Sequence, residues 1–191
     1  MFQNKIMNKP NFWPEKGHFN LDQYNYVKSL VENRNIEYAL ETGFHTGRST
    51  LSILNNCVNL KRMISIDIIF VEDRRELLEE NFSSFEGIES DSKVVLTEDF
   101  FELNYPDGID YCLVDGDHSY SGCFTDLINI YPKMKKGSLI LIDDYESGPP
   151  EGCHIPEVTK ACDDFYELNK ENLSREKWNK DGKGFCVFTV N

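Results

Sequence analysis

Tyr38-Ala39-Leu40-Glu41-Thr42-Gly43-Phe44-His45-Thr46-Gly47-Arg48-Ser49 is the stretch that decides the fold of this 191-residue sequence. A short apolar run ends at an acidic residue, passes through a turn with two glycines, and enters a helical candidate, Ser49 to Cys57. That is how the first half of a strand–helix–strand unit reads. The same rhythm recurs downstream. Met63 to Ile66 ends at Asp67, Val94-Val95-Leu96 forms a third run, Tyr111 to Val114 ends at Asp115, and Ser138 to Ile142 ends at Asp143. Helical candidates fall between them, at Val71 to Phe82 and Tyr120 to Tyr131. Near-continuous apolar strands alternating with helices predict a doubly wound, mostly parallel sheet covered on both faces.

The flanks complete the plan. Met1 to Asn20 has no period and reads as an irregular arm, while Leu21, Tyr24, Val27, Leu30 and Val31 recur at helical spacing behind Asn20 or Asp22 as a cap. Residues 1–35 are therefore expected to form an arm and helix that cover the site, and residues 36–191 the main domain. Pro156 opens a further helix reaching Asn172, and the segment from Trp178 through a Gly-rich turn to Phe185–Val190 predicts an antiparallel hairpin at the sheet edge.

Composition narrows the function. One domain's worth of chain with 40% hydrophobic residues can bury a sizeable core. Twenty Lys and Arg against 33 Asp and Glu give a net charge of −13, which repels phosphate backbones and anionic headgroups. Nucleic acid and membrane are thus disfavoured as partners. No apolar run is long enough for a membrane helix and the first residues lack a secretory pattern, so the expected location is the cytoplasm. The six cysteines, Cys57, Cys112, Cys123, Cys153, Cys162 and Cys186, are spread singly and read as reduced thiols without a zinc site.

In open α/β sheets ligands bind beyond the carboxyl ends of the strands. Here Gly43 and Gly47 would let the backbone approach a ligand, and Asp67 is placed to take both hydroxyls of a ribose. A ligand-free strand-to-helix turn would need the same glycines. Because His45 stands two residues after Gly43, the spacing departs from the dinucleotide fingerprint, which counts against NAD or FAD.

Taken in order, these motifs resemble the class I S-adenosylmethionine-dependent methyltransferases, in a small-molecule O-methyltransferase-like branch. Glu41 to Ser49 is similar to the family's first motif, and Asp67 matches the acidic end of its second strand. Val114 to Tyr120 and Met134 to Tyr145 resemble the fourth and fifth strand motifs. The resemblance spans about Ile36 to Asn191 and implies a Rossmann-like, seven-stranded sheet. It implies S-adenosylmethionine as cofactor, with Gly43 and Gly47 against its methionine part and Ser49 on its carboxylate. Asp67 would hold the ribose, Asp99 and Phe100 the adenine edge and face, and Glu41 would support the amino-acid end, often indirectly, with Asp115 also among the cofactor-binding residues. Asp99 could equally cap a helix, and Phe100 could be core.

Asp115, Asp143 and Asp144 end neighbouring strands, so their carboxylates are expected to converge. Protonation, a basic partner or a hard cation such as Mg²⁺, Ca²⁺ or Mn²⁺ would relieve the repulsion. The catechol and caffeoyl-CoA O-methyltransferases place an Asp and an Asp-Asn pair at matching positions for a divalent metal; here the pair is Asp143-Asp144, which adds a charge. His118 occupies the position of that branch's catalytic lysine and could take the acceptor's proton, or it could be a turn residue beside Asp117. His154 is a second candidate base. The reading is methyl transfer to a hydroxyl of a small molecule, assisted by a divalent metal. The alternatives are metal-independent N- or O-methylation on the same fold, or a cofactor-binding protein without catalysis. The arm with Phe12 and Trp13, the loop Tyr145 to Ile155 and the hairpin around Trp178 are expected to set specificity. Relatives of this kind often dimerise, though no feature here marks a homodimer interface.

Overall fold

The computed structural model describes residues 19–150 and 152–191; Phe12, Trp13 and His18 lie outside them. Helix α1 (Leu21–Val31) starts at Asn20, whose side chain accepts from the Gln23 amide while the Gln23 side chain accepts from the Asn20 amide. This reciprocal cap satisfies two of the donors that any helix start leaves open. The chain then alternates: β1 (Tyr38–Thr42), α2 (Arg48–Asn56), β2 (Arg62–Asp67), α3 (Glu72–Asn81), β3 (Phe85–Glu89), α4 (Ser92–Val95), α5 (Glu98–Asn104), β4 (Ile109–Val114), α6 (Tyr120–Ile130) and β5 (Met134–Ile142). Helix α7 (Pro156–Asn169) leads to the hairpin β6 (Leu173–Lys180) and β7 (Lys183–Val190).

The seven strands lie in the order β3-β2-β1-β4-β5-β7-β6. The first five are mutually parallel, and β7 inserts antiparallel between β5 and β6. This is the doubly wound architecture expected from the alternating pattern. Strand periodicity divides the core between two faces. Ala39, Met63, Tyr111, Leu139 and Leu141 pack with Val27 and Val31 of α1, Leu51 of α2 and Leu78 of α3. Their neighbours Leu40, Ile64, Cys112, Ile140 and Ile142 pack with Phe101, Leu127, Ala161 and Phe165 from α5, α6 and α7. Cys112 and Cys186 sit in the second cluster as small buried hydrophobes.

One strand assignment needs correction. The third strand is Phe85–Glu89, whereas Val94 and Val95 fall in the short helix α4. Strand β3 is the sheet edge and packs only partly, so Glu86, Gly87 and Glu89 are tolerated and no apolar run marks it. Pairing with Met63–Asp67 of β2 specifies the strand instead. Val94 is 70% exposed, and α4 forms because Asp91 caps it by accepting from the Lys93 amide. β6, at the opposite edge, carries Arg175, Glu176 and Lys177, the charged dressing that discourages further strand pairing.

Candidate active site

The carboxyl ends of β2, β1, β4 and β5 and the start of β7 open into one cleft of about 660 Å³. Its floor at β1 is set by backbone geometry. Gly43 has φ +92°, and a Cβ there would lie 2.0 Å from the Asp115 carbonyl oxygen, so the turn after β1 can reach the end of β4 only without a side chain. Gly47 begins α2 with φ +71°, and a Cβ would lie 2.5 Å from the Phe44 ring. Gly43 lines the cleft; Gly47 does not, and its task is to pack the turn. Asp67 ties the turn down, accepting from the amides of Phe44 (2.7 Å) and His45 (2.8 Å) while also lining the cleft.

Beneath the turn Glu41 is fully buried and accepts hydrogen bonds from the hydroxyls of Ser49, Thr50 and Ser65. Burial pushes its pKa up to about 7, against the opposing pull of those three donors. Ser49 is thus committed to Glu41 and does not line the cleft, so it is not placed to meet a ligand carboxylate directly.

Beyond the ends of β4 and β5 three side chains converge. His118 Nε2 lies 3.4 Å from Asp115 Oδ1 and 3.5 Å from Asp144 Oδ2, and one ligand atom from each of the three falls within 4.8 Å of the others. The Asp115 contact holds the imidazole pKa above its ordinary value, while desolvation pushes the Asp115 carboxyl up. Asp144 adopts a left-handed conformation (φ +56°) directly after β5.

Asp143 does not join the cluster as expected. Its carboxylate accepts from Gln23 Nε2 (3.0 and 3.2 Å) and from the Asp144 amide (2.8 Å). Alternation along the chain explains the separation, since neighbouring residues beyond β5 send their side chains to different sides and Asp143 meets α1. Burial, with Asp115 and Asp144 near, pushes its pKa well above the carboxylate range. The adenine assignments also shift. Asp99 sits exposed in the first turn of α5, behind its cap Thr97, and Phe100 packs edge-on against Phe101 (5.4 Å) and Tyr105 (5.9 Å). Neither lines the cleft; Asp91, which follows the true third strand, does.

His154 lines a neighbouring hollow with Pro156, Thr159 and Lys160 rather than the cleft. Trp178 stacks on Tyr26 (4.9 Å, 14°) and is packing rather than a specificity element. Two cleft lysines went unread in the sequence. Lys93 bonds Asp117 at 2.9 Å and holds its pKa down at about 2. Lys183 lines the cleft at the start of β7, where its place in a Gly-rich hairpin suggested only a turn. Strand alternation would have put it on the face of Phe185 and Val187, the one covered by α1.

Residues 40–145 match a family model described as a methyltransferase domain. The chain belongs to this methyltransferase family. The match runs from β1 to just past β5, so it contains the glycine turn and the Asp115, His118 and Asp144 cluster, and it leaves out α1, α7 and the terminal hairpin. The uncharacterized protein R132 of Acanthamoeba polyphaga mimivirus is 26% identical over 163 residues, covering 82% of this chain and 73% of the viral protein. Among solved structures, the O-methyltransferase TomG from Streptomyces achromogenes in complex with SAM superposes with TM-score 0.71 at 15% identity, covering 99% of this chain and 86% of that one. The O-methyltransferase from Bacillus cereus in complex with SAH gives TM-score 0.68 at 15% identity, covering 93% and 84%. The resemblance to class I S-adenosylmethionine-dependent methyltransferases is therefore borne out in family and fold.

Proposed function

We propose that this methyltransferase moves the sulfonium methyl of S-adenosylmethionine to a hydroxyl oxygen of a small molecule, with His118 taking the proton. The observation that carries this reading is the placement of His118 Nε2 beside Asp115 and Asp144, in the cleft that Gly43 and Asp67 also line. In the step, a lone pair of the acceptor oxygen forms a bond to the methyl carbon. The carbon–sulfur bond breaks, its electron pair stays on sulfur, and the hydroxyl proton passes to Nε2. The sulfonium is already a good leaving group, so the protein's work is alignment and proton removal. A hydrogen bond to Asp115, with the negative charge of Asp144 beside it, raises the basicity of His118, which suits it to that work. The −13 net charge and the acids along the cleft favour a small acceptor over a nucleic acid.

The cluster also fits a divalent cation, because two carboxylates and an imidazole present ligand atoms within 4.8 Å of one another. Asp115, His118 and Asp144 would hold it, and it would lower the acceptor's hydroxyl pKa and fix its orientation. With an imidazole in the set, Mn²⁺ or another transition ion suits the site better than the Mg²⁺ that three carboxylates would favour. The metal-independent reading has its own support. His118 already bridges both acids and the Lys183 ammonium sits in the same cleft, so the negative charge is partly met by the chain itself.

Calorimetric titration of S-adenosylmethionine in Mn²⁺ and in chelator tests the donor. Acceptor turnover under the two conditions then separates the mechanisms. Micromolar binding in both, followed by turnover lost in chelator, would support the metal-assisted route; turnover that ignores chelator would remove it, and absence of binding would remove the methyl donor.

A further inference from the structure

Asp126 is a buried acid that the methyl transfer does not use. It lies on α6, is 1% exposed, and its Oδ1 accepts from the Ser92 hydroxyl at 2.7 Å. Ser92 opens α4, is half-buried and lines the cleft. Asp126 stands behind that lining, so its influence on the cleft passes through Ser92. Burial pushes its pKa up, and the Ser92 bond and the Lys93 charge work against that rise.

The direction of this bond fixes what Ser92 can offer a ligand. A carboxylate has no proton to give, so the one hydroxyl proton of Ser92 is spent on Asp126, and its oxygen meets any other partner with lone pairs alone. Asp91, beside it in the lining, adds a carboxylate whose Oδ1 accepts from the Lys93 amide, while the Lys93 ammonium is drawn to Asp117 at 2.9 Å. The side chains of Asp91 and Ser92 thus present acceptors, and the ligand group that suits them carries N–H donors. The strand order says which group that is. β3 lies beyond β2, on the side away from β1 and β4. A donor with its ribose at Asp67 and its sulfonium toward His118 carries its base on toward the end of β3, where Asp91 and Ser92 stand.

We propose that Asp126 is a positioning residue for the methyl donor: by holding the Ser92 proton it keeps this wall of the cleft accepting, and so selects a purine with an exocyclic amino group. The inference rests on the S-adenosylmethionine assignment above. The amino group of adenine brings N–H bonds to the wall, whereas hypoxanthine would bring a carbonyl oxygen against lone pairs, with no proton on either side. A site built around a hydrogen bond rejects the analogue that cannot make it, because the polar groups of the site are then left unpaired.

The test is calorimetric titration of the full chain with S-adenosylhomocysteine and with S-inosylhomocysteine, which carries hypoxanthine in place of adenine. The unaltered chain is expected to bind the adenine compound about 10- to 100-fold tighter. Ser92→Ala is expected to lower that ratio by about threefold or more, since one of the two acceptors is gone. Asp126→Ala releases the Ser92 proton, which can then turn to the cleft and donate to the hypoxanthine oxygen. This variant is expected to bind S-inosylhomocysteine about 3- to 10-fold tighter than the unaltered chain does, a gain that a merely loosened wall does not produce. Adding Ser92→Ala to Asp126→Ala is expected to erase the gain. Equal affinity of the unaltered chain for the two compounds, or a ratio left unchanged by both single variants, would overturn the proposal while leaving the donor assignment standing. If Asp126→Ala does not fold, the ratio in Ser92→Ala decides. Failure of the unaltered chain to bind S-adenosylhomocysteine would overturn the donor assignment and this proposal together.

Discussion

His118 and Glu41 show how the same fold treats two titratable groups differently. His118 is half-exposed at the cleft and shares its Nε2 with two carboxylates, a position from which a proton can leave to solvent. His118→Ala is expected to lower turnover by about 10²- to 10⁴-fold with cofactor affinity nearly unchanged, since proton transfer to a placed base contributes about that much; steady-state kinetics beside calorimetry would show it. Glu41 is sealed beneath the glycine turn, with a folded pKa of about 7 against an ordinary 4.5. A raised carboxyl pKa means the folded state binds more protons than the unfolded one between those values. This residue's contribution to stability therefore falls as pH rises from about 4.5 to about 7. Glu41→Gln, which cannot titrate, is expected to flatten that part of the profile, a difference on the order of 3 kcal/mol across the window. Thermal melts of both proteins at pH 5 and pH 8 would reveal it, and parallel profiles would sink the assignment.

Two elements, the turn after β1 and helix α1, shape the cleft without supplying its chemistry. Gly43→Ala would drive a methyl group into the Asp115 carbonyl at 2.0 Å in a left-handed conformation, so β1 and β4 would have to part. A loss of about 3 kcal/mol or more, with cofactor binding abolished, is the expected outcome. Gly148, where a Cβ would meet nothing within 4 Å, serves as the neutral comparison in the same melting experiment. Helix α1 enters through Gln23, whose amide holds the buried Asp143 carboxylate. Gln23→Leu removes that donor and leaves the buried Asp143 carboxyl with the Asp144 amide as its hydrogen-bond partner, so a loss of about 1–3 kcal/mol is expected in denaturant unfolding. Rescue by Asp143→Asn in the double variant would show that the loss came from the stranded carboxyl group.

At the scale of the whole molecule the cleft is where distant segments meet, and ligands that bind it should stabilise the entire fold. Mn²⁺ at about 100 times its Kd is expected to raise stability by about 2.7 kcal/mol. Asp144→Ala should abolish that gain while leaving the gain from S-adenosylhomocysteine, as differential scanning fluorimetry can report. Much of this was legible beforehand, because hydrophobic period and strand-end chemistry are local properties. The strand, turn and helix around Tyr38–Ser49 and the hairpin at the end follow from residues near one another in the chain, and the convergence of Asp115 with Asp144 follows from their places at the ends of strands read as neighbours. What the sequence by itself determined is the alternation of buried strands and amphipathic helices, and with it the parallel sheet, the glycine turn and the acids at the strand ends. Only the tertiary structure decided that β3 is Phe85–Glu89, that Gln23 takes Asp143 out of the acidic cluster, and that Lys183 brings a cation into it. The physical reason is common to all three. An edge strand is specified by the ladder beside it, and a buried charge by the partner facing it, and each of those partners lies on another element, from about 20 to 120 residues away in the sequence.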